Sequence, residues 1–402
     1  MTRRVGLWLI GAYGGVGSTV ALGLASLRRG LIPTTGLVTA RPEWAGHDLD
    51  DPAAFVVGGH DIRPVGFFEA AQELHRRAGV FSPQILAACR PDLDAWSAHV
   101  RPGTLSGAGE TIASLCQWPE AHHLHSPRSA VRRIQDDLQA FRERHALEQV
   151  VVINVASTEP PVPQPPAHGA ADLLRELLDK DQEGLVPASS LYALGAILAG
   201  CSYVNFTPSL GANFPAAIAL AEEKRVCLAG QDGKTGETLL KSVLAPLFAA
   251  RNLRVLSWVG HNIFGNRDGW VLNDPRNKES KIRTKDQVIA HILGYHPQTL
   301  VTIEYIESLD DWKTAWDHIH FQGFFGTKMV VQFIWQGCDS LLAAPLVIDL
   351  ARLVLAAHRA GQRGVLVPLA CFFKNPMGTE EHDFFEQWRM LRDFAARLPR
   401  VP

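Results

Sequence analysis

The sequence predicts a doubly wound α/β fold with an inserted α+β unit, and three observations predict it. A short apolar run, 5–10 (VGLWLI), feeds a glycine turn that opens an apolar helix-like segment. A β-branched run, 150–154 (VVVIN), follows a helical pattern over 129–147 and reads as a central parallel strand. Between 239 and 339 the pattern shifts to long β-rich runs and polar loops, before apolar helix and strand signals resume. The chain has 402 residues, 47% apolar and 20% charged, which is ample core-forming sequence for more than one folding unit. The expected division is a first domain over 1–238, completed by 340–402, with a second domain over 239–339.

Taken in order, residues 5–10 read as a buried strand and 18–27 as a helix ending near Gly30. The proline-rich stretch 160–166 (PPVPQPP) predicts a stiff polyproline-like loop. Helices are expected over 170–180 and 189–199, strands over 202–206 and 225–228, then a helix over 239–250 and a strand over 254–259. The polar stretch 261–286 predicts an ordered functional loop and a helix start. The runs 299–306 and 327–335 read as strands, and the Trp and Phe residues of 312–335 as core or interface. An apolar helix follows over about 340–358, where Pro345 is tolerable only near the first turns. A strand over 364–372 and a helix over 381–397 close the chain.

Composition excludes several classes. Lys and Arg total 39 against 41 Asp and Glu, a net charge of −2, which rules out a globally basic nucleic-acid binder. Six cysteines with no CxxC pair argue against a disulfide scaffold or zinc ribbon and fit a reducing cytosol. No membrane span is expected, since the most apolar stretch, 341–357, carries Asp349 and Arg352. The basic-then-apolar N-terminus runs straight into a glycine turn and does not read as a signal peptide. The cluster His122, His123 and His125 has no ligand-rich partner segment, so it reads as a polar loop, and no metal is expected.

The turn Gly11-Ala12-Tyr13-Gly14-Gly15-Val16-Gly17-Ser18-Thr19 lies between strand and helix. That is the context of a Rossmann-type dinucleotide site, where glycines let backbone approach a pyrophosphate at a helix N-terminus. Asp61, in VGGHD (57–61), is the candidate for the ribose hydroxyls, although it falls later than the usual ~20 residues. Charge also gathers in two otherwise apolar regions. One holds Asp232, Lys234 and Lys241; the other holds His261, Asn262, Asn266, Asp268, Lys281 and Lys285. Lys281 and Lys285 share a helix face at four-residue spacing, where an anion such as a phosphate or enolate oxygen would relieve their repulsion. By spacing alone, Lys313 and Lys374 read as surface residues.

Four runs then carry a resemblance: GQDGKTGETLLKSVL (230–244), VGHNIFGNRDGWVL (259–272), SKIRTK (280–285) and CDSLLAAPLVIDL (338–350). With GGHDI (58–62), STE (157–159) and SYVNFTPS (202–209), they resemble the inositol-3-phosphate synthase (myo-inositol-1-phosphate synthase) family, most densely over 228–350. The resemblance implies an NAD-dependent isomerase that turns glucose 6-phosphate into inositol 3-phosphate. C5 of the open-chain sugar is oxidised, a proton leaves C6, the enolate attacks the C1 aldehyde and the hydride returns. It also implies a cytoplasmic homotetramer acting on a small sugar phosphate, with neither nucleic acid nor membrane as partner.

Residue by residue, the resemblance gives Lys281 a role in proton transfer and oxyanion stabilisation. It places Lys313 at the aldehyde oxygen and Lys374 near the C5 oxygen, with Asp232, Asp268 and Asn262 completing the catalytic set. It assigns the substrate phosphate to Lys285, Thr235, Gly236 and Glu237, and the cofactor to Gly11, Gly14, Gly15, Gly17, Ser18, Thr19, Asp61, Thr158 and Asp339. Five positions depart from the family pattern. Tyr13 replaces a glycine, Gly15-Val16 replaces two asparagines, Glu237 a glutamine and Val271 an asparagine. A carboxylate at 237 beside a phosphate would be repulsive by about 1 kcal/mol or more. Those last two changes leave room for a relative that acts on a different sugar phosphate or polyol. A third alternative is an NAD-binding protein without turnover, against which the full lysine and aspartate set argues.

Overall fold

The computed structural model describes residues 3–122, 126–162, 169, 171–179, 186–274, 277 and 288–400. The expected loop at 163–166, the histidines at 123 and 125, and Lys281 and Lys285 lie outside them. Among the described residues, seven strands form one sheet: β1 (Val5–Ile10), β2 (Phe55–Asp61), β3 (Val100–Pro102), β4 (Gln149–Asn154), β5 (Ser202–Asn205), β6 (Cys227–Gly230) and β11 (Gly364–Val365). Their order is β11-β6-β5-β4-β1-β2-β3, and every pair is parallel. Every residue of β1 and β2 is buried, as expected when helices cover both faces of a parallel sheet. Because β1 lies between β2 and β4, the strand order reverses beside it. A crevice opens there at the carboxyl ends, the usual ligand position in such sheets.

A second sheet holds β7 (Arg254–Phe264), β8 (Gln298–Tyr305), β9 (Trp312–Gln322) and β10 (Lys328–Cys338) in the order β10-β9-β7-β8. The β10–β9 and β9–β7 pairs are antiparallel, and β7–β8 is parallel. The chain then returns to the first sheet through the Asp339–Arg359 helix. This helix packs on the Gly15–Arg28 helix and on β4, β5 and β6. Among the described residues it alone is long and apolar enough to cross a membrane, yet most of it is buried within the protein. Its Asp349 explains how a charge is tolerated there. The carboxylate accepts from the backbone N–H groups of Val38 (2.7 Å) and Thr39 (2.9 Å) and from the Thr39 hydroxyl (2.5 Å). Burial nevertheless pushes the acid up to about 6.

Three local readings change. Residues 261–264 are not loop but the end of β7, and a short helix, Arg267–Val271, follows. The apolar run 364–372 pairs only at Gly364 and Val365; Val367–Phe372 is a 3₁₀ helix, and Pro368 in its first turn has no N–H for a ladder. The strand β9 has no forerunner in the sequence reading. Its buried face runs Ala315, Asp317, Ile319, Phe321, and the aspartate interrupts the apolar alternation that marks a strand. All six cysteines are free.

Candidate active site

The crevice beside β1 is a cavity of about 290 Å³. Gly11, Gly14, Gly15 and Asp61 line one part of it, and Thr158, Asp232, Thr235, Asp268, Lys313, Asp339 and Lys374 line another. Residues scattered across the sequence therefore share one space. Gly17, Ser18, Thr19, Gly236, Glu237 and Asn262 are not among its walls.

The glycine turn ends β1 and starts the Gly15–Arg28 helix. Gly11 has φ +81°, and a Cβ there would lie 2.8 Å from the Ala156 backbone; only glycine suits both conditions. A Cβ on Gly15 would strike the Ser340 hydroxyl, and one on Gly17 the carbonyl of Ala12. The first amides of a helix lack intrahelical partners, and Gly15 and Val16 carry them at the cavity wall. This cradle fits a dinucleotide pyrophosphate. Ser18 and Thr19 contribute differently from expectation. Their hydroxyls donate back to the carbonyls of Gly14 (2.8 Å) and Gly15 (2.7 Å), bracing the turn from behind. Tyr13 does not crowd the cradle. Its ring packs edge-on against Phe67 and its hydroxyl donates to the Ser97 carbonyl at 3.2 Å.

Asp61 stands at the end of β2. Its carboxylate accepts from the backbone N–H groups of Tyr13 (2.7 Å), Ile62 (2.8 Å) and Arg63 (3.0 Å). Three of the roughly four lone-pair positions of a carboxylate are thus taken by the protein itself. Burial pushes the acid up, against the pull of Arg63 and these hydrogen bonds. Its first visible effect is to hold the glycine turn onto β2.

At the other end, the Lys374 ammonium lies 2.7 Å from Asp232 Oδ1, and both residues are buried. The backbones are joined as well: the Lys374 N–H donates to the Asp232 carbonyl at 2.7 Å, and the Asp232 N–H to Thr207 at 3.0 Å. Asp232 holds φ +65° to make this turn. Lys313, on β9, extends its ammonium to 5.1 Å from the Phe264 ring centre, a cation–π distance. Asp268 Oδ1 accepts from the Thr158 N–H and hydroxyl, each at 3.3 Å. The Asn277 amide donates to the Thr158 carbonyl at 2.7 Å.

Two predicted residues lie elsewhere. Glu237 begins the Glu237–Ala250 helix, fully buried, and its Oε1 is 2.7 Å from Lys241 Nζ one turn on. Lys241 also faces Asp317 Oδ2 at 3.8 Å, and the Trp258 indole donates to that oxygen at 2.6 Å. A carboxylate so placed is paired within the protein and is not among the described residues that line the cavity, unlike the position expected of a phosphate ligand. Asn262 is also fully buried, on β7 opposite Ala315 and Ile303. Val271, another departure, lies in the main apolar core.

Sequence reasoning missed Asp311, Glu159 and Arg63. Asp311 accepts from the Ser340 N–H (2.8 Å) and hydroxyl (3.0 Å) and from the Asn266 amide (3.0 Å), tying β9 to the helix that carries Asp339. Burial, reinforced by Asp339, pushes it up. The doubled Asp310-Asp311 was its only signal. Glu159 lines the cavity beside Thr158 and accepts from the Ser189 N–H at 2.8 Å and from the Ser189 hydroxyl. Burial pushes it up to about 7. Arg63 donates to the Tyr13 carbonyl and lies 3.7 Å from Glu73, which also accepts from Arg267 at 2.8 Å.

Comparison with known proteins follows the same lines. The family model for myo-inositol-1-phosphate synthase matches residues 5–396. Inositol-3-phosphate synthase 1 of Bacteroides thetaiotaomicron is 32% identical, over 97% of this chain and 94% of that protein. The crystal structure of inositol-3-phosphate synthase from Caenorhabditis elegans superposes with a TM-score of 0.86 at 26% identity, covering 99% of this chain and 87% of that one. A myo-inositol-1-phosphate synthase-related protein from Thermotoga maritima gives a TM-score of 0.79 at 25% identity, covering 99% and 100%. With the family model spanning nearly the whole chain, and the cradle and lysine–aspartate pair sharing one cavity, this chain belongs to the myo-inositol-1-phosphate synthase family.

Proposed function

We propose that the chain converts D-glucose 6-phosphate to 1D-myo-inositol 3-phosphate, with NAD as a recycled cofactor. The observation that carries this reading is the single cavity in which a pyrophosphate cradle faces the Lys374–Asp232 pair, Lys313 and the Thr158–Asp268 pair. Gly14, Gly15 and the helix start would hold the pyrophosphate, while Asp61, Thr158 and Asp339 would shape the cofactor pocket. NAD, when bound, accepts a hydride from the sugar and gives it back, so no net redox change results.

The chain's own residues then manage protons and oxyanions. As the C5 hydroxyl is oxidised, its proton would pass to Lys374 Nζ while the Lys374 ammonium gives one to Asp232 Oδ1, 2.7 Å away, and the reverse relay would return it. Lys313 offers its ammonium to the C1 oxygen as ring closure makes it an alkoxide. In a dry site such fixed cations act more strongly than in water. Asp268 fixes the Thr158 loop against the Arg267–Val271 helix. Lys281 and Lys285 are assigned proton transfer at C6 and the phosphate. Because Glu237 and Val271 are turned into the protein, their departures give no ground for a different substrate.

The domain division 1–238 with 340–402, and 239–339, belongs to the same reading, as does the homotetramer. β10 is an edge strand, yet Ile334 is 71% exposed, and Phe324 and Phe325 beside it 85% and 91%. An apolar edge of this kind needs a cover, and a second copy continuing the sheet provides one. The enzyme would act in the cytoplasm on a small molecule. The test is phosphorus and carbon NMR of the pure protein with NAD and glucose 6-phosphate. An inositol monophosphate without accumulated NADH is expected; bound NAD without that product would overturn the assignment of substrate.

A further inference from the structure

We propose that His291, Glu380 and His382 form a site for one divalent transition-metal ion of the zinc type, away from the cavity. The ligand atoms of the three side chains all lie within 4.8 Å of one another. The two imidazoles stand 5.0 Å apart between ring centres, and His291 Nε2 is 3.6 Å from Glu380 Oε2. His382 is only 6% exposed, and among the described residues its ring makes no hydrogen bond. A metal ion is a partner that these three side chains are already placed to share.

The chemistry of the donors selects the ion. Two ring nitrogens and one carboxylate oxygen suit zinc and its neighbours, with water in the fourth position. Calcium and magnesium ask for oxygen-rich sets. The scaffold is formed without the ion. The Thr379 hydroxyl accepts from the Glu381 N–H at 3.1 Å, Glu381 Oε1 accepts from the Asp383 N–H at 2.8 Å, and the Gln387 amide donates to the Glu381 carbonyl at 2.6 Å. The His291 and Glu380 side chains are 43% and 87% exposed, so an ion can enter from solvent. His291 lies in a helix over 288–293 and follows Lys281 and Lys285 in sequence; Glu380 and His382 follow Lys374. A bound ion would staple together two segments that carry the proposed catalytic lysines, a structural role that rests on the proposed reaction. The binding itself does not rest on it.

The experiment titrates the full-length protein, freed of metal with chelator, with Co²⁺ read by visible absorption and Zn²⁺ read by calorimetry. One equivalent is expected, with ligand-field bands and no thiolate charge-transfer band. His291→Asn, at a half-exposed ring, should weaken binding by about 100-fold or more, and His382→Ala should do the same. Zn²⁺ should raise the melting temperature of the unaltered protein and not of His291→Asn. A thiolate band, equal affinity in His291→Asn or no binding at micromolar metal would each overturn the site. None of these readings requires turnover, so they stand or fall apart from the reaction.

Discussion

In the seven-stranded sheet, β1 and β2 are buried throughout, and Asp61, which ends β2, ties the backbone of the glycine turn to it. In the four-stranded sheet the distribution is turned over. Ile334 on the edge strand is exposed to solvent, while Glu237, Lys241 and Asp317 are buried beneath. A buried carboxylate–ammonium cluster is costly to assemble and seldom improves stability over apolar packing. The difference teaches that polarity in the first sheet gathers at the cavity, whereas in the second it serves the packing of a helix onto a sheet, and the exposed apolar surface is the one the proposed second copy would cover.

The comparison is broken most severely at Lys241. Lys241→Met removes the cation facing both Glu237 and Asp317 and should destabilise the protein by about 3–5 kcal/mol, read by urea denaturation. A loss below about 1 kcal/mol would mean that the cluster is solvated and the second sheet is not built around it.

Lys374→Met tests the polarity of the first sheet. Removing one charge aimed at a developing oxyanion typically costs about 10²–10³ in rate. The expectation is a fall of that size in kcat with NAD binding retained in fluorescence titration. Unchanged kcat would place the C5 oxygen elsewhere. How this residue was found shows where sequence reading stops. The strands 5–10 and 150–154 and the glycine turn were legible because apolar runs and glycine steps are local signals. Lys374 carries no local signal, and only family resemblance separated it from surface charges; Asp232 stood out in a charged patch, and the fold brings the two within 2.7 Å. Glu237 shows the limit from the other side. Its position in a motif suggested the phosphate, but nothing in the motif says which way the first turn of the helix faces. β9 was illegible because Asp317, needed by Lys241 and Trp258, breaks its apolar alternation.

Glu159 sharpens the comparison through pH. Its carboxyl titrates at about 7 against an ordinary 4.5, so between those values the folded protein holds a proton that the unfolded chain has released. Stability contributed this way is present below about 4.5 and lost as pH rises towards 7, by up to about 3 kcal/mol. Glu159→Gln should flatten that part of the pH–stability curve, measured by thermal unfolding in a series of buffers. An unchanged slope would show that another group carries it.

The smallest effect is expected at Glu237, and it decides most directly between the two roles of polarity. Glu237→Gln keeps the side chain's shape and leaves Lys241 facing Asp317, so the loss should be about 1 kcal/mol. Because the side chain is buried against Lys241 and away from the cavity, relative kcat/KM for glucose 6-phosphate and other hexose phosphates should not move. Were the preference to swing towards glucose 6-phosphate, Glu237 would have to reach the substrate phosphate during turnover. The buried pair would then be a resting arrangement that opens, and the second sheet would share the chemistry now assigned to the first.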